Sequence, residues 1–131
     1  MNHELESQTK VLIVSLPGMM QHIIKETFAK RADVDLVGIA YGGLSAIKMI
    51  GHYIPDMIVI NSNLPETEAC ELIEWLKQEN PQIVSVVLGE TAQQLSMATS
   101  AGANYALRSY SLPDQLNRLM GQLNKNIGPE I

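Results

Sequence analysis

A chain of 131 residues is long enough for one domain with a proper core, burying roughly two thirds of the surface its unfolded form exposes. Its 46% hydrophobic and 18% charged residues read as globular, and a net charge of −5 with nine scattered basic residues argues against nucleic acid as the domain's own ligand. The single cysteine, Cys70, rules out an internal disulfide, and no stretch has the ~18 apolar residues of a membrane span, so the expected address is the cytoplasm.

Residues 1–9 are polar and are expected to fray. Lys10 to Val14 reads as a first strand, stopped by Pro17-Gly18. Met19, Met20, Ile23, Ile24, Thr27 and Phe28 then recur at helical spacing, which predicts an amphipathic helix over 19–31 with both methionines in the core. Val34 to Ala40 is a second strand. Gly42-Gly43 makes a turn, and Leu44, Ile47, Ile50 and Ile54 mark the inner face of a second helix that ends near Tyr53. Asp56 is expected to orient the turn before the third strand. Met57-Ile58-Val59-Ile60, an unbroken apolar run, suits a strand buried on both faces. It ends in the polar cluster Asn61-Ser62-Asn63.

Glu66 and Glu68 favour the positive end of a third helix, whose stripe is Ala69, Leu72, Ile73 and Leu76, with Trp75 off that stripe. Ile83 to Leu88 is the fourth strand. Thr91 caps a weaker helix, with Leu95, Ala98 and Met97 as its few apolar positions, and Gly102 closes it. Asn104 to Leu107 is the fifth strand. Pro113 opens a last helix with Leu112, Leu116, Leu119, Met120 and Leu123 inward. Five strands alternating with five helices imply an α/β fold, a three-layer (βα)5 flavodoxin-like sandwich around a parallel sheet of order 2-1-3-4-5. The domain is expected over 10–124, with 125–131 a tail or the start of a linker.

Open sheets of this kind place their ligand crevice at the carboxyl ends of the strands, which puts Asn61 at the centre of any site. The stretches Lys10–Pro17, Pro55–Pro65, Asn80-Pro81 with Val86-Val87-Leu88, and Ala101-Gly102-Ala103-Asn104 resemble the receiver domain of bacterial response regulators. Val37-Gly38-Ile39-Ala40 and the Ala-Gly-Ala turn look most like receivers attached to LuxR/NarL-type DNA-binding domains. The resemblance implies an aspartate phosphoacceptor where this chain has Asn61, and a Mg²⁺-binding acidic pair where it has Ser15 and Leu16. It implies a hydroxyl residue at Gly89, and a lysine at Ser109 by ungapped counting or at Arg108 with a one-residue shift. Asn63 and Pro65 are retained. By the same resemblance Tyr105 and Tyr110 fall on the face of helix 4, strand 5 and helix 5, which the family uses for dimerisation and output.

The scaffold is therefore expected to persist while the chemistry is gone. A carboxamide is not a nucleophile toward phosphoryl groups, and Ser15 with Leu16 offers Mg²⁺ no charge. Glu66 and Glu90 near the pocket do not rebuild an acidic triad. His3, His22 and His52 share no ligand spacing. Cys70 is expected to be a buried small hydrophobe. The sequence thus points to a phosphorylation-independent pseudo-receiver, not an enzyme, with no cofactor and no Mg²⁺, working through a protein partner or homodimer in two-component signalling. The alternatives are the regulatory half of a LuxR-type transcriptional regulator whose effector domain is absent here, and a flavin or cobalamin carrier on the same fold. The loop Ser15-Leu16-Pro17-Gly18 has neither signature of such a carrier.

Overall fold

Continuous apolar runs need cover on both faces, and the chain supplies it by alternating each strand with a helix. The computed structural model describes residues 8–65 and 67–127, with side chains to residue 123. The elements in order are β1 (Thr9–Val14), α1 (Met19–Ala29), β2 (Val34–Ala40), α2 (Gly43–His52), β3 (Met57–Asn61) and α3 (Glu68–Glu79). They continue with β4 (Val84–Gly89), α4 (Ala92–Ala101), β5 (Tyr105–Arg108), a 3-10 turn (Ser109–Ser111) and α5 (Leu112–Ile127). All strands pair in parallel in the order β2-β1-β3-β4-β5, the expected flavodoxin-like arrangement.

Alternation along the strands sends side chains into two cores. Val11, Ile13, Met57, Val59, Val86 and Leu88 pack toward Ile24 and Phe28 of α1 and the leucines of α5. Leu12, Val14, Ile58, Ile60 and Val87 pack toward α2, α3 and α4. β3 lies in the middle of the sheet, and every one of its residues is buried.

Several helical positions expected inside lie outside. In α1 two adjacent i, i+4 ridges are both apolar, and only Met20-Ile24-Phe28 faces the sheet. Ile24 and Phe28 are fully buried and Met20 packs against the same core, while Met19 is 74% exposed and Ile23 is on the surface. In α2 the buried ridge is Gly43-Ala46-Ile50, which leaves Leu44 77% exposed and Ile54 on the surface beyond the helix end. Met97 is also exposed. Periodicity finds an apolar helix; it does not choose between neighbouring apolar ridges.

At the start of the described residues the chain is already bonded to its surroundings. Thr9 is buried and its N–H donates to the Asp33 carbonyl at 2.8 Å, while Gln8 Nε2 donates to the Ala32 carbonyl. At the other end α5 runs to Ile127, past the expected boundary at 124. His3 with the rest of 1–7, residues 128–131, and the internal Glu66 lie outside the described residues.

Local chemistry explains the element ends. Asp56 Oδ2 accepts from the Lys10 N–H at 2.8 Å, tying the start of β1 to the turn before β3, the orienting role expected of it. Thr91 caps α4 as expected: its hydroxyl accepts from Gln94 N–H, and Gln94 Oε1 accepts from Thr91 N–H in return. Glu68 lies in the first turn of α3 as expected, and it has a second role. It serves another helix, its Oε2 accepting from Gly43 N–H at 2.5 Å at the uncapped start of α2. Gly42 and Gly43 leave room for it, because a Cβ on Gly42 would come within 2.9 Å of that oxygen.

Gly102 closes α4 at φ 114°, in the region only glycine occupies freely, and a Cβ there would overlap the Lys77 stem. Gly102→Ala is expected to cost about 1–2 kcal/mol in thermal or denaturant unfolding. Adding Lys77→Ala should recover the steric part and leave the backbone part.

Arg31 clamps the end of α1 to its surroundings. Its guanidinium bonds both oxygens of Asp33 at 2.8 Å and reaches Asn117 of α5 at 2.6 Å. The hydrogen bond from Arg31 holds the Asp33 carboxyl below its usual value of 3.8. A depressed carboxylate contributes its stabilisation above the unfolded pKa and loses it as pH falls through the folded one. Asp33→Asn should therefore lower the melting temperature slightly at neutral pH, and the gap from wild type should close as the pH drops well below 3.8.

Candidate functional site

Four strand ends converge at the carboxyl edge of the sheet: β1 with Ser15 beyond it, β3 with Asn61, β4 with Gly89, and β5 followed by Ser109. Asn61 and Ser15 are 4% and 0% exposed. Being buried, their polar atoms need partners, and they find them in each other. Asn61 Nδ2 donates to Ser15 Oγ at 3.1 Å, and Ser15 Oγ donates to the Leu16 carbonyl at 2.9 Å. The hydroxyl has one hydrogen, committed to Leu16, so it must receive from Asn61. An amide supplies that donor; an ionised carboxylate has none to give.

The loops around this pair are bound in the same self-contained way. Leu16 N–H donates to Asn63 Oδ1 at 3.3 Å, which fastens the loop after β1 to the loop after β3. Gln21 Nε2, from the first turns of α1, donates to the Ser15 carbonyl at 3.0 Å. The Ser62 N–H and hydroxyl both donate to the Leu88 carbonyl, at 2.9 and 2.7 Å. Leu16 turns its side chain into the α2–α3–α4 core and offers no ligand atom there. Sequence reasoning singled out Ser15, Asn61 and Asn63 but missed Gln21, because nothing in its local pattern signals a contact to a loop six residues earlier.

On the β4–β5 side, Ser109 is buried and its hydroxyl donates to the Gly89 carbonyl at 3.3 Å. Arg108 points elsewhere, with Nη1 donating to the Glu90 carbonyl at 2.9 Å. Of the two positions left open by counting, Ser109 is the one turned into the strand ends. The space a side chain on Gly89 would enter is already filled: its Cβ would lie 3.0 Å from Leu95, 3.2 Å from Gln94 and 3.2 Å from Ser62 Oγ. Glu90 is exposed, and its N–H donates to Gln94 Oε1.

Mg²⁺ needs charged oxygens in a near-octahedral set. The buried side chains at these strand ends are a hydroxyl, an amide and a second hydroxyl, all neutral and bonded to protein partners. That donor set does not fit the ion. Among the described residues, no buried side-chain nitrogen or oxygen lacks a hydrogen-bond partner.

The remaining candidates are dispersed. His22 and His52 are exposed on different helices. Cys70 is half-buried, not buried as expected, and its thiol faces the Met97 carbonyl at 3.7 Å. Burial, then Glu74 and Glu71, push that thiol's pKa upward. Tyr105 packs partly against the core on β5, whereas Tyr110 in the 3-10 turn is 77% exposed. No helix of the described chain is long and apolar enough to cross a membrane.

Because Asn61 donates to Ser15 in a buried pair, introducing a carboxylate at 61 should disturb it. Asn61→Asp is expected to destabilise the fold by about 1–3 kcal/mol at neutral pH. Desolvation would raise the new carboxyl's pKa, so the penalty should shrink as the pH is lowered and the group protonates. Thermal unfolding across pH reads both effects.

No protein-family model matches the chain. Among curated proteins, it is 33% identical over 94 residues to a protein-glutamate methylesterase/protein-glutamine glutaminase 3 of Paramagnetospirillum magneticum, covering 71% of this chain and 26% of that protein. It is 28% identical over 108 residues to a methylesterase/glutaminase of Halalkalibacterium halodurans, covering 82% and 29%. It is also 27% identical over 107 residues to the uncharacterized transcriptional regulatory protein YhcZ of Bacillus subtilis, covering 80% and 48%. The chain thus spans less than a third of the two methylesterases and about half of the regulator. Among solved structures, a LuxR-family two-component response regulator from Aurantimonas sp. SI85-9A1 superposes with a TM-score of 0.79 at 17% identity, over 91% of this chain and 87% of that one. The response regulator domain of Thermotoga maritima CheB superposes at 0.73 and 19% identity, over 93% and 99%. The chain has the flavodoxin-like fold of response-regulator receiver domains.

Proposed function

We propose that this chain is a receiver-like signalling module of the two-component type that works without phosphoryl transfer at the end of β3. The observation that carries the reading is the buried Asn61–Ser15 hydrogen bond at 3.1 Å, which fills the acceptor position with an amide already in use. An amide forms no acyl phosphate, and without a cation nothing neutralises the charge that develops on a transferring phosphoryl group. Output then comes from protein contacts. In members of the fold that are phosphorylated, the phosphoryl group biases a two-state element. Here a partner supplies that differential energy, or one state is fixed. The contact face in this reading is α4, β5 and α5, where Tyr110 and Met97 stand exposed.

A second reading has a specific support. Likeness to the transcriptional regulator YhcZ and to a LuxR-family response regulator favours a regulatory domain that controls a DNA-binding effector. The two readings share the same domain and differ in what it is joined to. In both, DNA binding by residues 1–131 alone is expected to be absent, because the chain carries a net charge of −5.

Mg²⁺ and acetyl phosphate test the proposal. Neither is expected to change the melting temperature or Trp75 fluorescence, and intact mass should show no phosphoryl adduct. A ligand that binds only the folded state must stabilise it, so clear Mg²⁺-dependent stabilisation would sink the reading.

A further inference from the structure

The largest concentration of exposed apolar side chains lies beside the strand ends on the α2–α3 side, away from the α4–β5–α5 face. It runs along the seam between α2 and α3. Tyr41, Leu44, Tyr53 and Ile54 are four of the eight large hydrophobic residues exposed among the described residues, and all four flank this seam. Two open cavities lie end to end here, of about 630 and 680 Å³, and share Ile47 and Trp75 as walls. Together they form a groove about as long as α2, which at 1.5 Å per residue is ~15 Å.

The charge of the groove is one-sided. Glu68 and Glu71 line the upper cavity and Glu79 the lower, and the only basic side chain among the described lining residues is His52. Glu68 is engaged with Gly43, so Glu71 and Glu79 are the exposed acids at the two ends of the apolar floor. An apolar channel between carboxylates is the complement of a helix with an apolar ridge flanked by Lys or Arg. A second copy of this chain is a poor fit, because each copy brings a net charge of −5.

We propose that the α2–α3 groove is a docking site for a basic amphipathic helix of a partner protein, with apolar anchors seated between Leu44, Ile47 and Trp75 and basic residues set against Glu71 and Glu79. The proposal stands independently of phosphoryl chemistry at Asn61. Trp75 is the only tryptophan, so its emission reports on this groove alone.

The probe is a synthetic helical peptide of Leu and Lys in amphipathic order, with a Leu and Glu peptide of the same pattern as its control. The Leu/Lys peptide should give a saturable blue shift of Trp75 that weakens as salt screens the charges, and the Leu/Glu peptide should give none. Glu71→Lys with Glu79→Lys, and separately Leu44→Asp, should weaken binding at least tenfold. Glu26→Lys, on α1, should leave it unchanged. All these side chains are exposed, so the variants should stay folded, with only Glu71→Lys lowering the melting temperature slightly through loss of its Thr67 bond and of an acid in the first turn of α3. Equal binding of both peptides, indifference to the groove variants, or a Trp75 shift driven by protein concentration alone would overturn the proposal, the last by showing a second copy in the groove.

Discussion

Complete burial of β3 is the constraint on which the rest of this structure depends. Met57 through Asn61 have no face toward water, because β1 and β4 flank the strand and helices cover both sides. Four of the five residues are apolar and meet the constraint by packing. Asn61 meets it only by hydrogen bonding, since an unpaired buried amide would cost about 1–3 kcal/mol. Its partner, Ser15, is buried too and lies just past the neighbouring strand. The two residues therefore belong to one unit, and the loops that carry them are fixed by the same requirement.

That unit organises its surroundings outward. Ser15 passes its hydrogen to Leu16, the Leu16 N–H goes to Asn63, and Gln21 binds the Ser15 carbonyl. Ser62 closes on Leu88, and Ser109 on Gly89. Every one of these bonds is neutral, and all but the local Ser15–Leu16 bond hold one strand-end loop to another or to α1. At the edge where α/β sheets place their ligand crevice, the loops are tied to one another by these bonds. The polar surface of the crevice is spent on stability, and charged groups such as Glu90 and Arg108 meet through main-chain contacts at its rim.

The sheet and its order were readable because they follow from coarse features. Five apolar runs separated by helical patterns allow few arrangements, and caps such as Thr91 and Gly102 act on their own neighbours. The inner ridge of a helix was not readable where two ridges are equally apolar, as Met19 and Leu44 show. Long-range roles were hidden as well. Glu68 looked like a residue of its own helix, yet it caps α2 twenty-five positions earlier in the chain, and the reason for two glycines at 42 and 43 appears only with it. At the site, the residue types could be read from sequence, but whether Arg108 or Ser109 turned inward depended on strand register, which a one-residue shift reverses.

The same geometry separates the two surfaces on which this chain offers contacts. The side chains buried at the strand ends are neutral and bonded to protein partners. The α2–α3 seam is apolar and acidic, and it is joined to the strand ends through short segments: β3 runs from Asn61 into the loop that leads to Glu68, and Glu68 holds the start of α2. A partner that moved α2 against α3 would have to work against the Glu68–Gly43 bond, and any such movement would be felt within seven residues of Asn61.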